Sequence, residues 1–426
     1  MNTYSSYKDS GIEWIGEIPS EWNIVKTKYM TSPRKELSDS GKEELLSVSE
    51  YLGVIPRSVI RKGKGSLSRS ESLIGYLKVY KGDLVNNIML MWKKGLGVSQ
   101  YDGIVSPAYS VFNFIESVPS YYHYLYRTDR YITEFRKNST GVIMSRLRLY
   151  DDDFGDIPSV IPSLQEQQQI SDYLDYKTSK MDKLLEKTQQ KIELLKEQRI
   201  SLINTTVTKG LNPNVEMKDS GIEWIGEIPS GWNVTKLKYT CNITYGISPP
   251  DTTYNDKGRG EILINGPVEY SKEDFGYTRS TKWTTDPKKF TEKGSLLFCL
   301  RGSTTGRMNI THDYVSIGRG VCSIISKESQ WFMIYSMFIV RDYIQGEITG
   351  STFPSVTKDD VDNYFICTPP QQEQQQIVDY LDKETTKIDK LIDTENKRIN
   401  LLKEYRQSLI SEVVTGKVDV RDEVLV

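Results

Sequence analysis

The phrase KDSGIEWIGEIPSEWN at residues 8–23 returns as KDSGIEWIGEIPSGWN at 218–233, with fifteen of sixteen positions identical and only Glu21 and Gly231 differing. A second pair lies downstream: QEQQQISDYL at 165–174 and QEQQQIVDYL at 372–381. The match runs on through MDKLLEK (181–187) and IDKLIDT (388–394), then IELLKEQRISLI (192–203) and INLLKEYRQSLI (399–410), then VTKG (207–210) and VTGK (414–417). The chain is therefore an opening phrase, a variable block and a helix-like block, all given twice. A long internal repeat of this kind means one supersecondary plan built two times. Its 426 residues suit two to four units at roughly 100–200 residues each.

The helix-like blocks follow Pro162 and the pair Pro369-Pro370 and then run without Pro or Gly to Gly210 and Gly416. Apolar residues recur at Ile170, Leu174, Met181, Leu185, Ile192, Leu195 and Leu202, and at Ile377, Leu381, Ile388, Ile392, Ile399, Leu402 and Leu409. Steps of three, four and seven are the stripe of an amphipathic helix or coiled coil. About 45 residues at 1.5 Å each make a rod on the order of 65 Å. Such a rod cannot bury its stripe alone, and its own repeat is the natural partner, packed antiparallel. The variable blocks read as mixed α/β. GDLVNNIMLMW, VSPAYSVFNF, EILINGPVEY and GSLLFCL have strand character, whereas SYYHYLYRTDRYITEF and WFMIYSMFIVRDYI have helix character. The expected fold is two α/β (α+β) domains joined by two long antiparallel helices in a coiled coil, with a pseudo-twofold internal repeat. The expected divisions are 1–160, 161–210, 211–367 and 368–426.

Composition narrows the chemistry. A quarter of the residues are charged, and no apolar run approaches the ~18 needed to cross a bilayer. No basic-then-apolar leader opens the chain. The four cysteines, Cys241, Cys299, Cys322 and Cys367, include no CxxC pair, and only His123 and His312 are available as histidines. A metal site or disulfide framework is therefore not expected, and reduced thiols fit a cytoplasmic protein. No GxxxxGK[ST], GxGxxG, GxSxG or HExxH motif occurs. SPPD (248–251) partly mimics the Pro-Pro loop of adenine methyltransferases, but Asp251 replaces the aromatic residue and no cofactor loop accompanies it. Asp251 with Asp286-Pro-Lys288 is a permissive match to a nuclease triad and is better explained by chance.

Basic side chains in the variable blocks remain. Residues 54–148 carry a net charge of +9 within a chain of net −2. Local positive charge attracts a phosphate backbone, and counterion release drives binding. Arg61, Lys62, Lys64 and Arg69 lie in one Gly/Ser-rich loop, Lys93 and Lys94 in a second, and Arg146 and Arg148 in a third. Residues 240–350 are only +1, yet CLRGSTTGRMN and IGRGVCS place Arg301, Thr304, Thr305, Arg307 and Arg319 on polar, Gly-rich loops. These thirteen residues are the candidate DNA contacts, since Arg reads guanine edges and Lys more often holds phosphate.

Repeated SGIEWIGEIP…W phrases, two dissimilar blocks and Pro-x-x-Gln-Glu-Gln-Gln openings to long helices together resemble a Type I restriction-modification specificity subunit. The resemblance covers essentially the whole chain. It implies that each variable block is a target recognition domain and that the repeated helices form a spacer. It also implies that the chain is not catalytic by itself and carries no cofactor of its own. The implied partners are double-stranded DNA, two methyltransferase subunits bringing S-adenosylmethionine, and two ATP- and Mg-dependent restriction subunits. The opening phrases, with Trp14, Ile15, Ile18 and Trp22 and their copies Trp224, Ile225, Ile228 and Trp232, are expected to pack: copy one against the end of the C-terminal helix, copy two against the end of the central one. Two rival functions stand beside this. One is a DNA adenine methyltransferase or a methyltransferase–nuclease fusion, which the absent cofactor loop opposes. The other is a coiled-coil interaction protein with no DNA role, which the +9 block opposes.

Overall fold

The computed structural model describes all residues except 1, 61–71, 144–146, 274, 303, 349–354 and 424–426. The chain divides into two compact units, Met1–Gln189 with Lys397–Val426, and Gln190–Asn396. Each unit is thus made from a variable block, one opening phrase and parts of both repeated helices.

The central helix spans Leu164–Lys209 and the C-terminal helix Gln371–Val414. Both start where the repeated glutamines say they should. Gln167 Nε2 donates to the Pro162 carbonyl at 3.0 Å, and Gln374 Nε2 donates to the Pro369 carbonyl at 3.0 Å. Each side chain thereby ties the first turn to the residue that precedes it, and both are buried. Both helices stop at a glycine in the left-handed region, Gly210 at φ +72° and Gly416 at φ +74°, the usual chain exit from a helix. In the second unit Lys191 pairs with Glu395 and Arg199 with Asp389. As one helix advances the other retreats, so they run antiparallel there. In the first unit Asp182 faces Arg406. The apolar stripe is the buried face: Ile170, Leu174, Met181, Ile192, Leu195, Ile377, Leu381, Ile388, Ile399 and Leu409 are all buried. Leu185, Leu202, Ile392 and Leu402 are half-buried, and Ile203 rather than Leu202 is the innermost residue of its turn.

The two variable blocks, unlike in wording, share one sheet plan. In the first unit the strand order is Thr31–Pro33, Tyr109–Phe114, Leu84–Asn87, Leu96–Val98, all antiparallel. In the second it is Cys241–Tyr245, Val321–Ser326, Leu296–Cys299, Met308–Ile310, again all antiparallel. Beside each opening phrase a strand pairs with the one leading into a long helix: Asn23–Lys26 with Pro158–Ile161, and Asn233–Lys236 with Phe365–Thr368. The second unit adds a five-stranded sheet built from short strands between Tyr254 and Ile317. The tyrosine-rich stretch read as one helix is two, Pro119–Tyr126 and Asp129–Lys137. The break follows from Thr128, whose hydroxyl donates to the Leu125 carbonyl, and from Arg127, whose guanidinium bonds the carbonyls of Glu50, Lys94 and Leu96.

The opening phrases pack as their tryptophans suggest. Trp22 is fully buried and Trp232 is 2% exposed. At roughly 200 Å² each and about 25 cal/mol per Å², either ring contributes up to ~5 kcal/mol of burial. Trp22 lies against Gly416 and Trp232 against Gly210. Copy one thus meets the end of the C-terminal helix and copy two the end of the central helix. Trp14 stands edge-on to Tyr131 at 5.0 Å, and Trp224 stacks on Tyr343 at 5.0 Å.

Candidate nucleic-acid interface

Each unit builds the same corner at one end of its four-stranded sheet. In the first, Asn87 N–H donates to the Gly95 carbonyl at 2.8 Å, closing a hairpin loop. In the second, Cys299 N–H donates to the Arg307 carbonyl at 2.9 Å. A segment from far along the chain then straps onto each loop: Leu149 N–H to the Ile88 carbonyl at 3.0 Å, and Val356 N–H to the Leu300 carbonyl at 2.9 Å. Loop 88–95 therefore begins and ends in register with loop 300–307. Lys94 adopts φ 61° where the other loop has Gly306 at φ 84°. A lysine in that conformation is uncommon, and such strain concentrates at sites with a task.

The candidate residues distribute over these corners as follows. Lys93 and Lys94 occupy the first loop. The Lys93 ammonium lies 4.8 Å from the Trp92 ring centroid, and Lys94 Nζ pairs with Asp129 at 2.8 Å. Arg148 is exposed on the strapping segment, where its N–H and carbonyl exchange hydrogen bonds with Thr140. Arg301 and Arg319 are exposed on the second corner. Thr305 is buried and its hydroxyl donates to the Gly302 carbonyl at 2.8 Å, while Thr304 rests against Cys299. Arg307 turns inward: its guanidinium donates to the Ser271 carbonyl and lies 6.0 Å from the Tyr270 ring centroid. Arg61, Lys62, Lys64, Arg69 and Arg146 lie outside the described residues.

The second corner also gathers side chains that motif reading missed. A cleft of about 580 Å³ is lined by Arg301, Arg319, Lys358 and Tyr245, with Leu300 and Val356 at its floor. Tyr245 donates to Asp362 Oδ1 at 2.6 Å, and the Lys358 ammonium lies 5.0 Å from its ring centroid. Burial and the Asp362 hydrogen bond push the Tyr245 phenol well above its usual range, so it stays a neutral donor. Laying one repeat over the other is the signal that finds Lys358: it falls where the first copy has Asp151.

Little else suggests catalysis. Among the described residues no three His, Cys, Asp or Glu side chains converge as a metal site. The cysteines are all buried; burial raises the Cys322 thiol and takes Cys367 up to about 12, so neither is a ready nucleophile. Lys288 pairs with Asp286. No helix among the described residues is long and apolar enough to cross a membrane.

Comparison with known proteins meets this geometry. A family model for the Type I restriction modification DNA specificity domain matches residues 229–404. The chain is 30% identical over 267 residues to a Methanocaldococcus jannaschii protein assigned as the type I restriction enzyme MjaX specificity subunit, covering 61% of this chain and 59% of that one. It is 24% identical to the type I restriction enzyme MjaIX specificity subunit of the same organism, across 96% of each chain. The chain is therefore similar to the specificity subunits of Type I restriction-modification systems. Among solved structures, the fold matches a chain from the complex assembly and conformational transition of the type I R-M system, with a TM-score of 0.68 at 21% identity over 94% of this chain and 99% of that one. It also matches the HsdS subunit from Thermoanaerobacter tengcongensis, with a TM-score of 0.54 at 19% identity over 98% of this chain and 100% of that one. The alignment to the MjaX protein spans about three-fifths of that relative's length.

Proposed function

We propose that this chain is the DNA sequence-specificity subunit of a Type I restriction-modification complex. In this reading each variable block binds one half of a bipartite, asymmetric target, and the paired helices act as an antiparallel coiled-coil spacer in a pseudo-twofold molecule. The helices set the number of unread base pairs between the half-sites. The observation that carries the reading is one sheet plan present twice, with unlike residues on its corner loops: Met89, Lys93, Lys94 and Asp151 in one, Arg301, Thr305, Gly306 and Lys358 in the other. A shared scaffold with divergent tips is what two readers of different half-sites require.

The chain itself has no catalytic role in this reading. S-adenosylmethionine belongs to two methyltransferase subunits, and ATP and Mg to restriction subunits, in a cytoplasmic complex. Each recognition domain offers one adenine, on opposite strands, and the partner takes it out of the stack for methylation. Leu194 and Leu401 stand at equivalent places on the outer helix faces, 64% and 65% exposed. Two such leucines at repeat positions suit the docking of two copies of one partner. The candidate DNA contacts are the exposed cations of the corners together with Arg61, Lys62, Lys64, Arg69 and Arg146.

Methylome sequencing of cells carrying this chain with its methyltransferase tests the reading. The expected result is a two-part motif with one modified adenine in each part. Tight S-adenosylmethionine binding by the isolated chain would instead revive the methyltransferase alternative.

A further inference from the structure

The cleft of the second unit differs from a reading loop in one respect: it is concave. Base edges lie at the bottom of a groove, so an intact duplex is read by elements that protrude into it. A recess takes what protrudes from DNA, namely the sugar-phosphate ridge. Four separate segments form this recess at the sheet's end. Gly246 N–H donates to the Val321 carbonyl at 3.1 Å, Leu300 N–H to the Gly320 carbonyl at 2.9 Å, and Val356 N–H to the Leu300 carbonyl at 2.9 Å. This stitching fixes the positions from which Tyr245, Arg301, Arg319 and Lys358 extend.

The described lining of the recess carries three cations and no carboxylate. Among the described residues no carboxylate pairs with Arg301, Arg319 or Lys358. The nearby acids are engaged elsewhere: Asp360 accepts from Thr357 N–H and Oγ1 at 2.8 and 2.7 Å, Asp359 from Asn363 Nδ2 at 3.1 Å, and Asp362 from Tyr245 at 2.6 Å. The Tyr245 hydroxyl also reaches the Lys358 carbonyl at 2.9 Å, which holds the lysine's backbone beside the ring. Three cations with a neutral phenol between them form an anion clamp. A lysine acts in such a clamp as a point charge, indifferent to which base follows.

We infer that this cleft grips a phosphodiester of the DNA backbone through Arg301, Arg319 and Lys358, with Tyr245 positioning Lys358, and that it contributes affinity and register rather than base choice. At the equivalent positions the first unit carries no cation: Met89, Pro107 and Asp151 stand where Arg301, Arg319 and Lys358 do. The two domains thus hold the duplex by different means on one scaffold. This rests on the DNA-binding reading above and names which part of the DNA the second domain holds.

The test is the affinity of the full chain for a fluorescent duplex of mixed sequence, and for the duplex carrying the methylated motif, from 50 to 200 mM salt. For the triple Ala variant of Arg301, Arg319 and Lys358 the slope of log affinity against log salt should fall by about 0.9, the share of one neutralised phosphate, and for Lys358→Ala by part of that. Both duplexes should lose affinity by the same factor. Tyr245→Phe, which keeps the ring, should lose less than Lys358→Ala. Circular dichroism of each variant reports its folding, and Lys403→Ala on the exposed C-terminal helix surface should leave the slope unchanged. An unchanged slope in a folded Lys358→Ala protein, or a loss confined to the motif duplex, overturns the clamp. A wild-type chain that shows no salt-dependent DNA binding overturns the DNA reading itself, and the clamp with it.

Discussion

Trp232 Nε1 donates to Glu373 Oε2 at 2.9 Å, tying the second opening phrase to the first turn of the C-terminal helix. The first copy solves the same problem differently. Glu166, the counterpart of Glu373, receives the Tyr4 hydroxyl at 2.7 Å, and Trp22 Nε1 is buried without an acceptor among the described residues. Glu373→Ala should therefore strand a buried indole N–H and cost about 1–3 kcal/mol, whereas Glu373→Gln, still an acceptor, should cost less. Tyr4→Phe should likewise destabilise by removing the donor to the buried Glu166. Thermal melts of the three variants check this ranking.

The helix-terminal glycines make a sharper prediction. At Gly416 a methyl group would run into Pro19 and Trp22, on top of a φ of +74° that L residues avoid. At Gly210, with φ +72°, it would meet Trp232 and Glu373 at 3.1 Å, a milder conflict. Gly416→Ala should lower stability by more than the ~1–2 kcal/mol of conformational strain alone, and by more than Gly210→Ala does. Denaturant midpoints measure both.

His123 sets a pH dependence. Its Nδ1 accepts from Val98 N–H at 3.2 Å, so the ring must be neutral to hold that strand. Burial, with the nearby charges of Arg127 and Arg406, takes its pKa down to about 3 from the usual 6.5. The unfolded chain then binds a proton below pH 6.5 that the folded chain refuses. The stability it contributes is complete above pH 6.5 and is lost as pH falls toward 3, with a limiting slope of about 1.4 kcal/mol per pH unit. His123→Gln should flatten stability measured between pH 6.5 and 4.

Much of the architecture was open to inspection in the residues because it was written twice. The stripe Ile170 to Leu409 is legible since each step follows helical spacing, and the docking of Trp22 and Trp232 follows from their presence in the repeated frame. The split at Arg127 was hidden because Tyr and Ile continue the apolar pattern through it; what ends the helix is a tertiary demand, Arg127 reaching three distant carbonyls. The cleft was hidden for a similar reason. Val356 and Leu300 are far apart in sequence, and nothing local announces that Lys358 will face Arg301. Conversely, Arg307 has the composition of a surface contact, yet its guanidinium bonds the Ser271 carbonyl.

That contrast predicts a division of effects on the same loop. Arg301→Ala should weaken DNA binding with little change in melting temperature. Arg307→Ala should lower the melting temperature, having lost its bond to Ser271 and its place over Tyr270. Alanines at Arg61, Lys62 and Lys64 together should weaken DNA binding and reduce its salt dependence; unchanged affinity would remove those three from the interface.

The central claim is that two unlike readers on one duplicated scaffold work independently. The most direct measurement replaces residues 240–350 with the corresponding block of another specificity protein and sequences the methylome beside that of the wild type. The account predicts that one half of the two-part motif changes while the other half and the intervening gap stay as they were. A motif altered in both halves, or a single continuous motif from the wild-type chain, would contradict it.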